Sequence, residues 1–215
     1  IKSIEYRKYT YTNTQFDGTL NQKLLDGKLI VRDEHVDLAF IGKIDFTNPI
    51  PAYDFIADIN QLDFYKINLS KSPLIVSGST DISMQGNNLD DMNGTIQIKN
   101  AMIETDSTPV LLRELNLRAQ QLPNGQQKIA VTSDWLNLSL EGDYSILKIW
   151  PSLRKQLTAQ YPEITRTLNI KELPRGTQDS LPNQKYNFDL TVIEVRAIST
   201  LAKQHIAADK PFNIQ

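Results

Sequence analysis

The side chains that most often carry catalysis or bind metals are few in this chain. Its 215 residues include two histidines and no cysteine. His35 follows an acidic pair and His205 lies in a predicted helix, so no paired-histidine zinc site can be built, and a surface or packing role is the simpler interpretation of each. The lack of cysteine excludes disulfides and thiolate chemistry.

Adjacent carboxylates could in principle bind calcium or act as an acid and base pair. They occur at Asp33-Glu34 and Asp90-Asp91, but neither pair falls in a calcium-loop pattern, and solvated turns explain both. Ser77 and Ser79 flank a glycine inside an alternating run, not in the Gly-x-Ser-x-Gly turn of a hydrolase nucleophile. We therefore expect no catalytic residue, no metal and no cofactor, and predict that the protein is not an enzyme.

Charge and hydropathy narrow the choice of partners. With 23 basic and 25 acidic residues, the net charge of -2 gives no electrostatic reason to bind nucleic acid. No apolar run approaches the roughly 20 residues that span a bilayer, so any membrane anchor is expected outside these residues. The chain begins at Ile1 without a signal peptide, and we expect it to be a piece of a longer protein.

The dominant pattern is the alternation of apolar and polar residues, which is typical of β-strands with one apolar face. It is clearest from Val36 to Phe46 and resumes after the turn at 48–51. Strands are predicted at 4–11, 16–22, 27–31, 36–46, 53–59, 74–84, 94–98, 114–121, 127–132, 136–144 and 186–192. Asp26-Gly27 and Asn124-Gly125 are typical of hairpin turns, so an antiparallel meander is the expected topology.

Two segments have helical spacing instead. The first runs from about Ile146 to Tyr161, with Ser145 able to cap it and Pro151 near its start. The second covers 197–208. A polar, turn-rich loop lies between them. We therefore expect a curled β-sheet segment that forms a groove over 1–172, with a helix near 151–161. A loop follows at 173–183, and a final strand and helix over 184–215 are expected to pack on the same groove.

Alternation alone leaves two architectures open, because an open sheet and a closed sandwich or barrel both need one apolar face per strand. A closed β-sandwich would suit a binding or adhesion module of a cell-surface protein. The aromatic residues lie mainly within strands rather than in loops, which disfavours that alternative. A glycoside-active enzyme ranks lower still, because no separated carboxylate pair stands out.

Two stretches bear on this choice: IDFTNPIPAYDFIADINQLDFYKINL at 44–69 and SGSTDISMQGNNLDDMNGTIQI at 77–98. In the second, a strand ends in a glycine and a polar turn, a Leu-Asp step follows, and a Gly-x-Ile-x-Ile strand returns. Both resemble the repeated β units of TamB proteins of the Bacteroidetes type, which belong to the AsmA-like group. The resemblance covers about 16–161 and rests on strand and turn patterns.

The resemblance implies a mainly β fold, a long antiparallel meander curled into an open hydrophobic groove, a β-taco-like half barrel, with one or two short helices. It implies the periplasmic part of an inner-membrane-anchored envelope protein that moves phospholipid between the inner and outer membranes and supports outer-membrane biogenesis. The implied partners are phospholipid acyl chains, neighbouring β segments of the same long chain and an outer-membrane assembly protein. The alternating residues expected to line the groove are Val36, Leu38, Phe40, Ile44, Phe46, Tyr53, Phe55, Ile59, Ile82, Met84, Ile96, Ile98, Leu136, Leu138 and Leu140.

Overall fold

The fold is a single long antiparallel sheet, seen in a computed structural model that describes residues 3–106, 108–149, 151–152, 184–202 and 212–214. The elements are β1 (Ser3–Tyr6), β2 (Tyr9–Thr12), β3 (Thr14–Leu20), β4 (Leu24–Arg32), β5 (Val36–Asp45), β6 (Ala52–Asp63), β7 (Ile75–Gln85), β8 (Asn93–Glu104), β9 (Val110–Gln121), β10 (Gln127–Ser133), β11 (Leu136–Asp143), β12 (Lys185–Val192), α1 (Val195–Ala202) and β13 (Phe212–Ile214).

The sheet is a meander of eleven strands that runs without a crossover from β3 to β13, while β1 and β2 form a separate hairpin. Each strand pairs antiparallel with its neighbour in sequence. Within the described strands no pairing joins β3 to β13, so the sheet stays open and is not a barrel. The predicted mainly β meander is confirmed, and the alternative of two packed sheets does not describe these strands.

The register places the apolar residues of successive strands on one side. Phe40 pairs with Ala57, and Phe55 pairs with Ile82, which in turn pairs with Ile96. Paired residues of antiparallel strands point to the same side of a sheet. We call this side the apolar face and the opposite side the polar face.

Two turns differ from the prediction. The strand predicted over 4–11 is the β1–β2 hairpin, because Arg7 and Lys8 adopt φ values of 50° and 65° and turn the chain. The Asp26-Gly27 pair lies inside β4, and the turn before β4 forms at 21–24, where the Asn21 N–H donates to the Leu24 carbonyl. The Asn124-Gly125 turn forms as predicted.

The helical segments are found only in part. Residues 146–149 and 151–152 are helical, but the rest of the predicted first helix and the 173–183 loop lie outside the described residues. Asp90 caps this helix instead of Ser145: its carboxylate accepts the Ile146 N–H at 2.6 Å and the Ser145 hydroxyl at 2.6 Å. The second helix begins at Val195, and its predicted continuation beyond Ala202 also lies outside the described residues.

Two buried clusters lie at the same end of the strands, which we call the capped end. One joins Val31, Val36 and Ile67, with tyrosines of the β1–β2 hairpin packed against it. The other contains residues of β8, β9 and α1 together with Trp135. No helix within the described residues is long and apolar enough to cross a membrane.

Candidate functional site

The candidate site is the apolar face, which is continuous across the sheet. One row of directly paired residues runs from β6 to β12 with an apolar side chain at every step: Phe55, Ile82, Ile96, Leu117, Val131, Leu138 and Leu190. A second row beside it contains Ile44, Tyr53, Met84, Gly94, Ala119, Ile129, Leu140 and Phe188. The face therefore carries no charged residue along either row.

The structure brings the predicted groove residues together, with one exception. Fourteen of the fifteen lie in strands and point to the apolar face, as the pairing registers require. Phe46 lies just beyond the end of β5, where its ring contacts that of Tyr53 at a centroid distance of 5.9 Å and stays exposed. Val36, Phe40, Met84 and Leu140 are buried, and the other strand residues are half-buried.

Several residues of the same face were missing from the predicted set. They are Leu25, Leu29, Leu115, Leu117, Ile129, Val131, Phe188 and Leu190. All but Leu25 lie in predicted strands and continue the alternation there, whereas Leu25 precedes the strand predicted at 27–31. Within a strand, alternation assigns each residue to one face or the other, so the residues in predicted strands could have been included from the sequence pattern.

A row of glycines shapes the β3–β5 part of the face. Gly18, Gly27 and Gly42 pair directly across three strands, with φ values of 151°, 153° and 140°. Residues with a side chain rarely adopt such backbone angles. A Cβ atom on Gly27 would lie 2.3 Å from the Asp17 carbonyl oxygen. A side chain here would therefore clash, and only glycine allows β3 and β4 to approach each other this closely.

The β1–β2 hairpin is held at the capped end by Asp33. Its carboxylate accepts the Tyr9 hydroxyl, the Thr12 N–H at 2.8 Å and the Thr12 hydroxyl at 2.5 Å. Burial alone would raise the pKa of Asp33, but the hydrogen bonds from Thr12 and Tyr9 hold that pKa at about 2. Burial, followed by the bond to Asp33, raises the pKa of Tyr9. An ionised Asp33 thus fastens the hairpin beside Val31 and Val36.

Ile67 closes the same end from the β6–β7 loop and is 1% exposed. Asp63 arranges this loop, because its carboxylate accepts the N–H groups of Tyr65 at 3.1 Å and Lys66 at 3.0 Å. The loop also meets the hairpin, where the Asn68 side-chain amide donates to the Arg7 carbonyl at 3.0 Å.

Trp135 joins the sheet to α1. Its indole N–H donates to the Leu111 carbonyl at 2.9 Å, and its own carbonyl accepts the N–H groups of Ile193 and Glu194. Its ring packs with Ala197 of α1 in the second buried cluster. The β10–β11 turn therefore positions the helix over the capped end of β8 and β9.

At the opposite end of the strands, the β7–β8 loop over residues 86–92 lies against the apolar face. The Asp91 carboxylate accepts the N–H groups of Asn87 at 2.9 Å and Asn88 at 2.8 Å, which keeps the loop folded. The Asn87 side-chain amide also donates to Asp91 at 3.0 Å, and this bond, followed by that from the Asn88 backbone, lowers the pKa of Asp91. Between loop and strands is a cavity of about 330 Å³, lined by Tyr53, Phe55, Ile82, Met84, Leu89, Met92 and Ile96 with the loop backbone.

The polar face has a different character. Lys128 pairs with Glu141 at 2.7 Å, and Arg32 pairs with Asp37. Ile41 and Ile56 pair with each other there and are exposed. Exposed ion pairs contribute little to stability, so the main effect of these charged residues is to make this face hydrophilic.

Of the four acidic residues considered for catalysis or calcium binding, Asp33, Asp90 and Asp91 accept hydrogen bonds through their carboxylates. Asp33 and Asp90 each accept bonds from residues of a distant segment, and Asp91 orders its own loop. Within the described residues, no group of three or more His, Cys, Asp or Glu side chains is placed to hold a metal ion. What the described site offers chemically is apolar contact.

Comparison with known proteins returned no relative: no protein-family model matches the chain, and no curated protein or solved structure matches it.

Proposed function

We propose that this chain is a lipid-carrying segment of a large envelope protein anchored in the inner membrane. In this proposal its apolar face conducts phospholipid acyl chains across the periplasm between the inner and outer membranes and so supports outer-membrane biogenesis. The observation that carries the proposal is the pair of uncharged rows that run from β5 and β6 to β12 without a break.

The dimensions of the sheet suit a lipid tail. Eleven strands at a spacing of about 4.8 Å extend for roughly 50 Å, which is longer than one extended acyl chain. Burial of a methylene group contributes about 0.8 kcal/mol, so a 16-carbon chain gains on the order of 10 kcal/mol on leaving water. Escape into solvent is therefore slow, whereas sliding along the rows only exchanges one apolar neighbour for another.

The proposed partners follow from the open sheet. Among the described strands, β3 and β13 lie at the two edges of the sheet, and an edge strand is where neighbouring β segments of the same long protein would pair. An outer-membrane assembly protein would then meet the far end of the extended groove. This mode of action needs no catalytic group.

Photo-crosslinking tests the proposal by comparing adjacent residues on opposite faces. A photo-reactive amino acid at Ile96 or Leu138 should crosslink phospholipid in cells, while one at Gln97 or Ser139 should not, because these point to the polar face. Native mass spectrometry of the purified chain should show bound phospholipid.

Charge substitutions supply the matched control. Ile96→Asp should abolish bound lipid, whereas Thr95→Asp, whose neighbour on β9 is Arg118, should retain it. Thermal unfolding of both variants establishes that they remain folded. An unliganded mass together with equal crosslinking from both faces would rule out lipid conduction.

A further inference from the structure

The cavity under the 86–92 loop differs from the rest of the apolar face because it has walls on two sides. Its floor is formed by β6, β7 and β8, and Leu89 and Met92 of the loop lie over it. The loop is fixed at both ends of its span: the Gly86 N–H donates to the Pro51 carbonyl at 3.1 Å, and Asp90 binds Ser145 and Ile146. A ligand on the face therefore meets a groove that the loop covers in part and that is otherwise open, with Leu89 46% exposed.

The chemistry of the cavity restricts what it can bind. The backbone groups of the floor strands pair with neighbouring strands on both sides. The N–H groups of Asn87 and Asn88 are taken by Asp91. A peptide needs partners for its own N–H and C=O groups, and this lining offers few. No charged side chain lines the cavity, so it also lacks a counter-ion for a charged ligand.

We infer that this cavity is a holding site for the terminal part of one saturated fatty acyl chain. It would retain the methyl end of a chain that otherwise slides along the face, so the inference rests on the proposed function. The volume of about 330 Å³ is room for on the order of ten methylene groups, when each is given the space of a liquid water molecule, about 30 Å³. The ligand class is hydrocarbon, and the headgroup lies outside the cavity.

Chain length provides the test. Affinities of the 215-residue chain for saturated fatty acids of eight to sixteen carbons are measured by calorimetry below their micelle concentrations. Affinity should rise by about fourfold for each added methylene until the cavity is full, at roughly ten carbons, and less steeply beyond that length, where the chain lies on the uncovered face. Decanol should bind about as well as decanoate because the chain is what the cavity recognises.

Substitutions in the cavity and on the polar face test whether the fatty acids bind in the cavity. Leu89→Trp should fill the cavity and weaken decanoate binding by more than tenfold, whereas Ile41→Trp on the polar face should not change it. If Leu89→Trp fails to fold, Ile82→Ala serves instead, since an enlarged cavity should move the break to longer chains.

The outcomes separate this inference from the proposed function. A steady rise in affinity to sixteen carbons, or decanoate binding without decanol binding, would overturn the holding site while leaving conduction along the face intact. Unchanged decanoate affinity in Leu89→Trp together with an unchanged break in Ile82→Ala would overturn it as well. Absence of binding at every chain length would contradict both proposals.

Discussion

Phe55 lies directly opposite Gly42: a Cβ atom on Gly42 would come within 2.5 Å of the Phe55 Cα and 2.7 Å of its Cβ. The Phe55 ring lies 4.9 Å from the ring of Phe40, centroid to centroid. An aromatic residue therefore covers the gap that the glycine leaves on the apolar face, a pairing known to protect glycines within sheets.

Gly42→Ala is expected to destabilise the protein by about 3 kcal/mol or more, because it adds a steric clash to a φ of 140° that residues with a side chain rarely adopt. Urea denaturation measures this loss. Gly125→Ala is the matched control, with φ of 81° and no atom within 4 Å of the added Cβ. It should cost only about 1 kcal/mol, and equal losses in the two variants would contradict the close packing at Gly42.

Acid should release the β1–β2 hairpin before the sheet unfolds. The pKa of Asp33 is about 2 in the folded protein against an ordinary value of 3.8. The unfolded chain therefore binds more protons between these values, so the stability that Asp33 contributes is complete above pH 4 and is lost as the pH falls towards 2. The Thr12 amide resonance, whose N–H donates to Asp33, should report this titration by NMR.

The Asp33→Asn variant should lack that titration and should show weaker hairpin docking even at pH 7. Asp45 serves as an internal reference. Hydrogen bonds from Thr47 and Lys43 hold its pKa at about 2, and the Thr47 amide reports on it separately. A Thr12 resonance that titrates at an ordinary carboxyl pKa would contradict the proposed fastening.

Two substitutions of Trp135 should distinguish the contribution of its hydrogen bond to stability from the contribution of its packing. Trp135→Phe removes the indole N–H that binds the Leu111 carbonyl and should cost about 1–2 kcal/mol. Trp135→Ala also empties the space beside Ala197 and should cost about 3–5 kcal/mol. Denaturation midpoints compare the two, and equal losses would show that the packing of the ring contributes nothing.

Strand positions and the apolar face could be predicted from sequence because alternation has a fixed period of two, which the register then repeats from strand to strand. Ile82 and Ile96 were assigned to the same face without knowledge of their pairing, and they are direct partners in the sheet. The mainly β meander followed from the same pattern, but the open form of the sheet was expected only from the family resemblance, because a closed sandwich needs the same alternation.

Local turn chemistry was less predictable. Asp26-Gly27 has the composition of a hairpin turn, but Gly27 serves to let β4 approach Gly18 and Gly42, a role that depends on neighbouring strands. The Arg7-Lys8 turn contains neither glycine nor asparagine, so no composition rule would indicate it. The link from Asp90 to Ser145 joins residues far apart in sequence and follows only from the folded structure.

The meander, in which each strand of the sheet contacts mainly its sequence neighbours, has a consequence for how the molecule comes apart. Such a chain behaves as a one-dimensional array, whose stability is a sum of nearest-neighbour terms and whose outer members open first. We expect amide hydrogen exchange to show protection that rises from β3 and β13 towards β8, and uniform protection would contradict this. The sheet can thus be lengthened or shortened one strand at a time, as a building block of variable reach.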